Sequence, residues 1–185
     1  MCSPRQQKRP GYTLMEMMLV LTIMVITAAL AVPVIQSLLA DNRQVAAGDQ
    51  IRGRLADTRS KAMDEGRAWK LAYVANTGVL QLAPEDSDAW TQTYQDEVEL
   101  PDLIRELLPH DIYFAASAEA ILGQQQAGSP GSAWETIAVF MPAGNAQDDT
   151  VTYFGNMGFW PMRITVRALT GAVAVEMPDP QGSQP

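Results

Sequence analysis

The sequence predicts an α+β protein in which a long N-terminal helix covers antiparallel β-strands. Apolar residues recur at helical spacing over residues 14–65, and from residue 69 onward β-rich segments alternate with Gly, Asn and Pro. A helix with an apolar stripe is stable when a sheet with one apolar face covers that stripe. Outside the N-terminal segments roughly 150 residues remain, which is enough for one domain with its own core.

The first part of this helix is apolar enough to suggest a membrane segment. Over residues 17–32 only two threonines interrupt the apolar run, and extending it back to Tyr12 gives about the 20 residues that a bilayer core requires of a helix. The residues before it include basic but no acidic side chains, which by the positive-inside rule places the N-terminus in the cytoplasm. We therefore expect a transmembrane helix over residues 12–35 and an extracytoplasmic body.

A single carboxylate, Glu16, stands near the start of this apolar stretch. A charge inside a membrane span costs about 2.5 to 3.5 kcal/mol, so an acid there indicates a function. Two other interpretations of the segment stay open. One is a secretory signal cleaved after Ala31, although Glu16 and the length of the run argue against it. The other is a simple membrane anchor, which leaves Gly11 and Glu16 unexplained.

The residues Gly11-Tyr12-Thr13-Leu14-Met15-Glu16, after a basic leader and before an apolar helix, resemble the processing site of type IV pilin-like proteins. In that family a prepilin peptidase cuts after the glycine and methylates the new amino terminus. The resemblance implies that residues 1–11 are a cleaved leader, that Tyr12 becomes the first residue, and that Glu16 acts in assembly. The family more often has phenylalanine at the position of Tyr12. The carboxylate of Glu16 would then meet the amino terminus of a neighbouring subunit, which favours register more than stability.

Beyond the membrane segment, apolar residues return at helical spacing and predict an amphipathic helix over residues 36–66 that ends near Gly66. The pattern then becomes strand-like, which predicts a β-rich domain over residues 67–177 and a disordered tail over residues 178–185. The predicted strands are 69–75, 79–83, 111–116, 136–141, 150–154, 162–168 and 172–177, with a short helix over 102–108 and a loop over 123–132.

Two C-terminal motifs narrow the resemblance. Residues 137–144, and Ile164-Thr165-Val166-Arg167 with Thr170-Gly171, are similar to the pattern of the GspH/FimT group of minor pseudopilins and minor pilins. The group includes pseudopilins of the type II secretion system and minor pilins that initiate fibres or take up DNA. DNA-binding members carry arginines beside the hairpin glycine, whereas here Arg167 is the nearest base in the sequence. This favours the pseudopilin, and a minor pilin stays open as the alternative.

Composition and charge also favour a pseudopilin over a DNA-binding minor pilin. The 185 residues carry a net charge of −8, and removing the leader's three basic residues leaves ten against 21 acidic residues, a net charge of −11. Such acidity disfavours nucleic acid, because binding to phosphates depends on Lys and Arg. The only cysteine, Cys2, lies in the leader, so the processed chain has no disulfide.

No catalytic constellation is recognisable, so we expect no enzyme activity, no cofactor, no metal and no small-molecule substrate. His110 is the only histidine and is interpreted as structural. The acids at Asp86, Asp88, Asp148 and Asp149 lack EF-hand spacing, so a solvated loop is preferred over calcium.

The expected partners are other major and minor pseudopilins, the prepilin peptidase and the bacterial inner membrane. The expected location is a single pass with the C-terminal domain in the periplasm. Candidate interface residues are two aromatics and four arginines on the helix, namely Phe159, Trp160, Arg43, Arg52, Arg54 and Arg59. For the two aromatics a second interpretation stays open, in which their rings cap the sheet core.

Overall fold

The structure, a computed structural model, describes residues 12–96, 100–123, 129–156 and 159–177, with the side chains of residues 31–38 left out. The predicted leader with Gly11 and the predicted C-terminal tail lie outside the described residues. Two compact units divide the chain, Met1–Leu39 and Ala40–Pro185.

Helix α1 runs over Leu14–Glu65, which are the bounds predicted from the sequence. It ends at Gly66, whose φ of +66° is the left-handed conformation that closes many helices. In the first unit the large apolar side chains described from Leu14 to Leu30 are exposed. The hydroxyls of Thr22 and Thr27 donate to carbonyls one turn earlier in the helix. Within the residues described, no helix has both the length and the apolar character needed to cross a membrane.

The described residues of the second unit form two antiparallel four-stranded sheets. The first sheet has the order β3-β2-β1-β5 and the second has the order β4-β6-β7-β8. The strands are β1 Trp69–Val74, β2 Val79–Pro84, β3 Ile104–Leu107, β4 Ile112–Ala115, β5 Trp134–Phe140, β6 Thr150–Asn156, β7 Met162–Arg167 and β8 Ala172–Glu176. Between the strands lie a 3₁₀ turn over Asp88–Thr91 and a one-turn helix α2 over Ala118–Leu122.

The α+β class and the seven predicted strands are confirmed. Strands β1 and β2 form the predicted hairpin through Asn76, whose φ of +58° suits an asparagine in a tight turn. Strands β7 and β8 form the predicted last hairpin, with Gly171 at its turn.

The helix predicted over residues 102–108 is wrong. Residues Ile104–Leu107 form strand β3, which pairs with β2 from Leu82↔Ile104 to Val79↔Leu107. A segment of seven residues bounded by two prolines is too short to hold an isolated helix, whereas β2 offers it a complete set of backbone partners. Helix α2 was not predicted, because its single turn leaves almost no periodicity to detect.

The core lies between the second half of α1 and the inner faces of both sheets. Helix α1 contributes a stripe at helical spacing, and the sheets contribute large side chains that are fully buried. Each such side chain stabilises the fold by about 1.5 to 3 kcal/mol. From α1 the residues of this hydrophobic cluster are Ala47, Ile51, Leu55 and Ala62, and the largest from the sheets are Trp69, Phe114, Phe140 and Phe154.

Candidate assembly sites

The start of α1 carries the predicted processing and assembly residues. The side chain of Tyr12 is 78% exposed, and Glu16 is exposed in the first turn of the helix. The backbone N–H of Glu16 donates to Oγ1 of Thr13 at 3.2 Å. Thr13 is therefore the N-cap, and Thr-x-x-Glu is the sequence of a capping box. Glu16 thus also suits the positive end of the helix dipole, a local role that its spacing from Thr13 could have revealed.

One flank of the buried stripe on α1 attaches the helix to β3, an edge strand of the first sheet. Arg54 donates to both carboxylate oxygens of Glu106 on β3, at 2.5 and 2.9 Å. Nε2 of Gln50 donates to the carbonyl of Leu107 at 3.2 Å. The hydrogen bonds from Arg54 hold the pKa of Glu106 below its ordinary value and raise the pKa of Arg54. On the same flank Arg43 pairs with Asp111 at 3.1 Å.

The opposite flank attaches α1 to β8, an edge strand of the second sheet. Arg52 donates to the carbonyl of Val175 on β8 at 2.5 Å. Arg59 donates to the carbonyl of Thr170 at 3.2 Å. At 3.6 residues per turn, positions 52 and 59 share one side of the helix, and the buried stripe separates it from the flank of Gln50 and Arg54. The helix therefore holds one edge strand of each sheet, β3 in the first and β8 in the second.

Arg43 and Arg52, which lie on these two flanks, were predicted as interface residues. Both make contacts within the chain, yet their side chains keep 44% and 52% of their surface exposed. Each guanidinium therefore has room for a partner beyond the contacts it makes here. Their role between subunits stays a prediction.

The two C-terminal motifs meet in space. Gly144, from the first motif, and Gly171, from the second, both have positive φ, +82° and +61°. A Cβ at position 171 would lie 2.3 Å from the carbonyl oxygen of Gly144. The guanidinium of Arg59 lies about 3.4 Å from where a Cβ would stand at either glycine. Arg59 is therefore a second base beside this hairpin, in addition to Arg167. The order of the residues in the sequence gave no sign of this contact.

The aromatic pair Phe159 and Trp160 lies at the surface. The side chains are 38% and 50% exposed. The carbonyl of Trp160 accepts a hydrogen bond from Nε2 of Gln44 on α1 at 2.7 Å, so the backbone is fixed while the rings stay accessible. This exposure disagrees with the interpretation in which the two rings cap the sheet core. An interface role for them stays a prediction.

The remaining candidates have ordinary structural surroundings. His110 is 85% exposed, and its Nδ1 lies 2.6 Å from Asp111. Asp149 accepts the backbone N–H of Ala168 at 2.6 Å, which stabilises the approach to the last hairpin. Among the described residues, no three or more His, Cys, Asp or Glu side chains are grouped as a metal site would require.

One solved structure is similar to this chain. It is the minor pseudopilin EpsH from the type 2 secretion system of Vibrio cholerae, with a TM-score of 0.47 and 14% sequence identity. The match covers 74% of this chain and 98% of that chain. No protein-family model matches the chain. No curated protein matches its sequence. We therefore assign roles from the residues of this chain.

Proposed function

We propose that this protein is a minor pseudopilin of a type II secretion system. It would be a non-catalytic subunit of the periplasmic fibre that helps to export folded proteins across the outer membrane. The observation that carries the proposal is the N-terminal arrangement, in which Gly11 is followed by an aromatic residue and, five positions on, by the only acid of a long apolar segment. Glu16 stands in the first turn of α1, where a new amino terminus at Tyr12 would be close in sequence.

The exposed apolar side chains of the first unit support a membrane-bound precursor. From Leu14 to Leu30 the described large apolar residues are between 43% and 80% exposed, on every face of the helix. A helix that is apolar all round needs an apolar environment. We propose that the bacterial inner membrane supplies it before assembly and that neighbouring subunits supply it in the fibre. The apolar sequence to residue 35 and this exposure support the membrane location, with the domain of β-strands in the periplasm.

Cleavage after Gly11 would create a cationic partner for Glu16. The amino group of Tyr12 in one subunit is a cation, and the carboxylate of Glu16 in its neighbour is the only anion in the apolar segment. Two unit charges 4 Å apart attract by about 1 kcal/mol in water and about 4 kcal/mol at an effective dielectric of 20. Desolvation opposes this gain, so the pair specifies register. The partners would be other pseudopilins and the prepilin peptidase.

Deleting the gene tests the secretion role against the minor-pilin alternative. We expect the deletion strain to retain secreted proteins in the periplasm and to recover export when the wild-type chain is supplied on a plasmid. Pilus-dependent motility and DNA uptake should be unchanged. Normal export together with loss of pili or of DNA uptake would overturn the proposal. That outcome would favour the minor pilin, in which Arg59 and Arg167 beside the hairpin would be the candidate DNA-binding residues.

A further inference from the structure

The loop that carries Phe159 and Trp160 is fixed to the place where the chain enters the second unit. This unit begins at Ala40, which is buried, and Gln44 follows about one helical turn later. Nε2 of Gln44 donates to the carbonyl of Trp160 at 2.7 Å, and Gln44 is itself buried. The loop therefore cannot leave this end of the unit without breaking the hydrogen bond.

Helix α2 lies beside the same loop. A Cβ added at Gly155, near the end of β6, would lie 3.2 Å from Cα of Pro161 in the loop and 3.6 Å from a methyl group of Ile121 in α2. The two segments therefore meet at the end of this strand. Their exposed apolar side chains, which we call the aromatic patch, are 38% to 50% exposed. The aromatic patch consists of Leu122, Phe159 and Trp160.

The indole of Trp160 differs from those of the other three tryptophans. Trp69, Trp90 and Trp134 donate their indole N–H to acceptors within the domain, at 3.2, 2.7 and 2.9 Å. For Trp160 the described residues provide a partner to the backbone carbonyl and none to the indole. An aromatic ring with an apolar body and a free polar end suits a boundary between apolar and aqueous surroundings, which is where membrane proteins concentrate tryptophan.

The charges beside the aromatic patch do not favour an anionic partner. On α1, Arg43 pairs with Asp111 at 3.1 Å, and Asp41 is exposed. Glu119 is exposed on α2, and His110 contacts the same Asp111. One arginine thus stands among three acids. What the patch offers is apolar ring surface and one hydrogen-bond donor, which suits a surface without net charge.

The aromatic patch is also close along the chain to the segment proposed above to lie in the membrane. That segment ends at residue 35 and the second unit begins at Ala40. Even a fully extended chain spans at most about 18 Å between these positions. Gln44 lies about 6 Å of helix beyond Ala40. A bilayer that holds the apolar segment is therefore near the end of the unit that carries the patch.

We propose that the aromatic patch docks on the periplasmic surface of the lipid bilayer that holds the apolar part of α1. The rings of Phe159 and Trp160 enter the boundary between the headgroups and the acyl chains, and the indole N–H of Trp160 stays among the headgroups. The lipids are zwitterionic, because the neighbouring acids repel anionic headgroups. This inference rests on the membrane location proposed above and adds to it a contact made by the β-strand domain.

The test uses the full chain reconstituted into phosphatidylcholine vesicles, some of whose acyl chains carry bromine, which quenches a tryptophan that it contacts. Flotation of the vesicles first shows whether the chain is bound to them. We expect bromine near the headgroups to quench more than bromine near the chain ends. Trp160→Phe should abolish the quenching, because the other three indoles donate within the domain. Salt should not change the quenching, since the contact is apolar.

A tryptophan moved to another exposed position provides the matched control. Leu169 is 94% exposed in the hairpin turn whose next residue accepts a hydrogen bond from Arg59. Arg59 lies about 22 Å along the helix from Gln44. The double variant Trp160→Phe with Leu169→Trp keeps four tryptophans and should show no quenching by lipid. It separates docking of the patch from random collision of an exposed ring with the bilayer.

The outcomes distinguish this inference from the proposed membrane location. A chain that does not float with the vesicles would overturn both. A chain that floats and is not quenched, or is quenched equally in folded Trp160→Phe or in the double variant, would overturn the docking alone. Phe159→Ser keeps the indole and should weaken the quenching, which keeps the test decisive if Trp160→Phe fails to fold. Quenching that requires anionic lipid would also contradict the proposal.

Discussion

Replacing Gly171 by alanine should lower the free energy of unfolding by roughly 2 to 5 kcal/mol. Gly171 has a φ of +61°, where an L-residue with a Cβ is strained by about 1 to 2 kcal/mol. The added Cβ would also lie 2.3 Å from the carbonyl oxygen of Gly144. That oxygen belongs to backbone, so relief requires the two turns to separate. Their separation would also disturb Arg59, which donates to the carbonyl of Thr170.

Gly53 provides the matched control for this substitution. It lies within α1, and a Cβ built there meets nothing within 4 Å. Gly53→Ala should therefore raise stability by up to about 1 kcal/mol, since alanine favours the helix. Urea unfolding of the two variants and the wild type measures the difference. A Gly171→Ala midpoint equal to that of the wild type would show that the two motifs do not pack as described.

Replacing Glu16 by glutamine should abolish incorporation into the fibre while leaving cleavage after Gly11 intact. Glutamine keeps the size of the side chain and removes the charge that the proposed intersubunit pair needs. The loss of an acid from the first helical turn costs only about 0.3 to 1 kcal/mol, which is too little to explain complete failure of assembly. The bond from the backbone N–H of Glu16 to Thr13 does not depend on the carboxylate, so it should persist.

Thr13→Ala is the control for this second prediction. It removes the N-cap, at a cost of about 1 kcal/mol, and keeps the charge of Glu16. Each variant would be expressed in a strain that lacks the wild-type copy. The mass of the chain would measure processing, and export would measure assembly. We expect Thr13→Ala to support export and Glu16→Gln to fail. Normal export with Glu16→Gln would contradict the charge-pair mechanism.

The parts of the fold that were predicted are those whose signals lie close together in sequence. The bounds of α1 follow from a long periodic run closed by Gly66, and the hairpin around Asn76 follows from its turn residues. Strand β3 was predicted as a helix because its four residues gain their partner from β2, which the local pattern does not reveal. Tertiary pairing decided that segment.

The candidate sites also divide into those with a local sequence signal and those formed by long-range packing. The arrangement of Gly11, Tyr12 and Glu16 is contiguous, so the sequence alone could suggest it. The packing of Arg59 over Gly144 and Gly171 joins three distant segments, and nothing in the order of the residues indicates it. The edge-to-face contact of Trp90, in the 3₁₀ turn, with Trp134 on β5 likewise joins segments that are far apart in sequence. Long-range packing therefore supplied what local patterns could not.

The mature N-terminus shows whether the chain is processed as a pilin-like precursor. The protein would be purified from the membranes of a strain that carries prepilin peptidase, and its intact mass and N-terminal peptide would be determined by mass spectrometry. We expect a chain that begins at Tyr12 with a methylated amino group, so that the amine able to meet Glu16 exists only after cleavage. A chain that begins at Val32, or one that retains its leader, would contradict it.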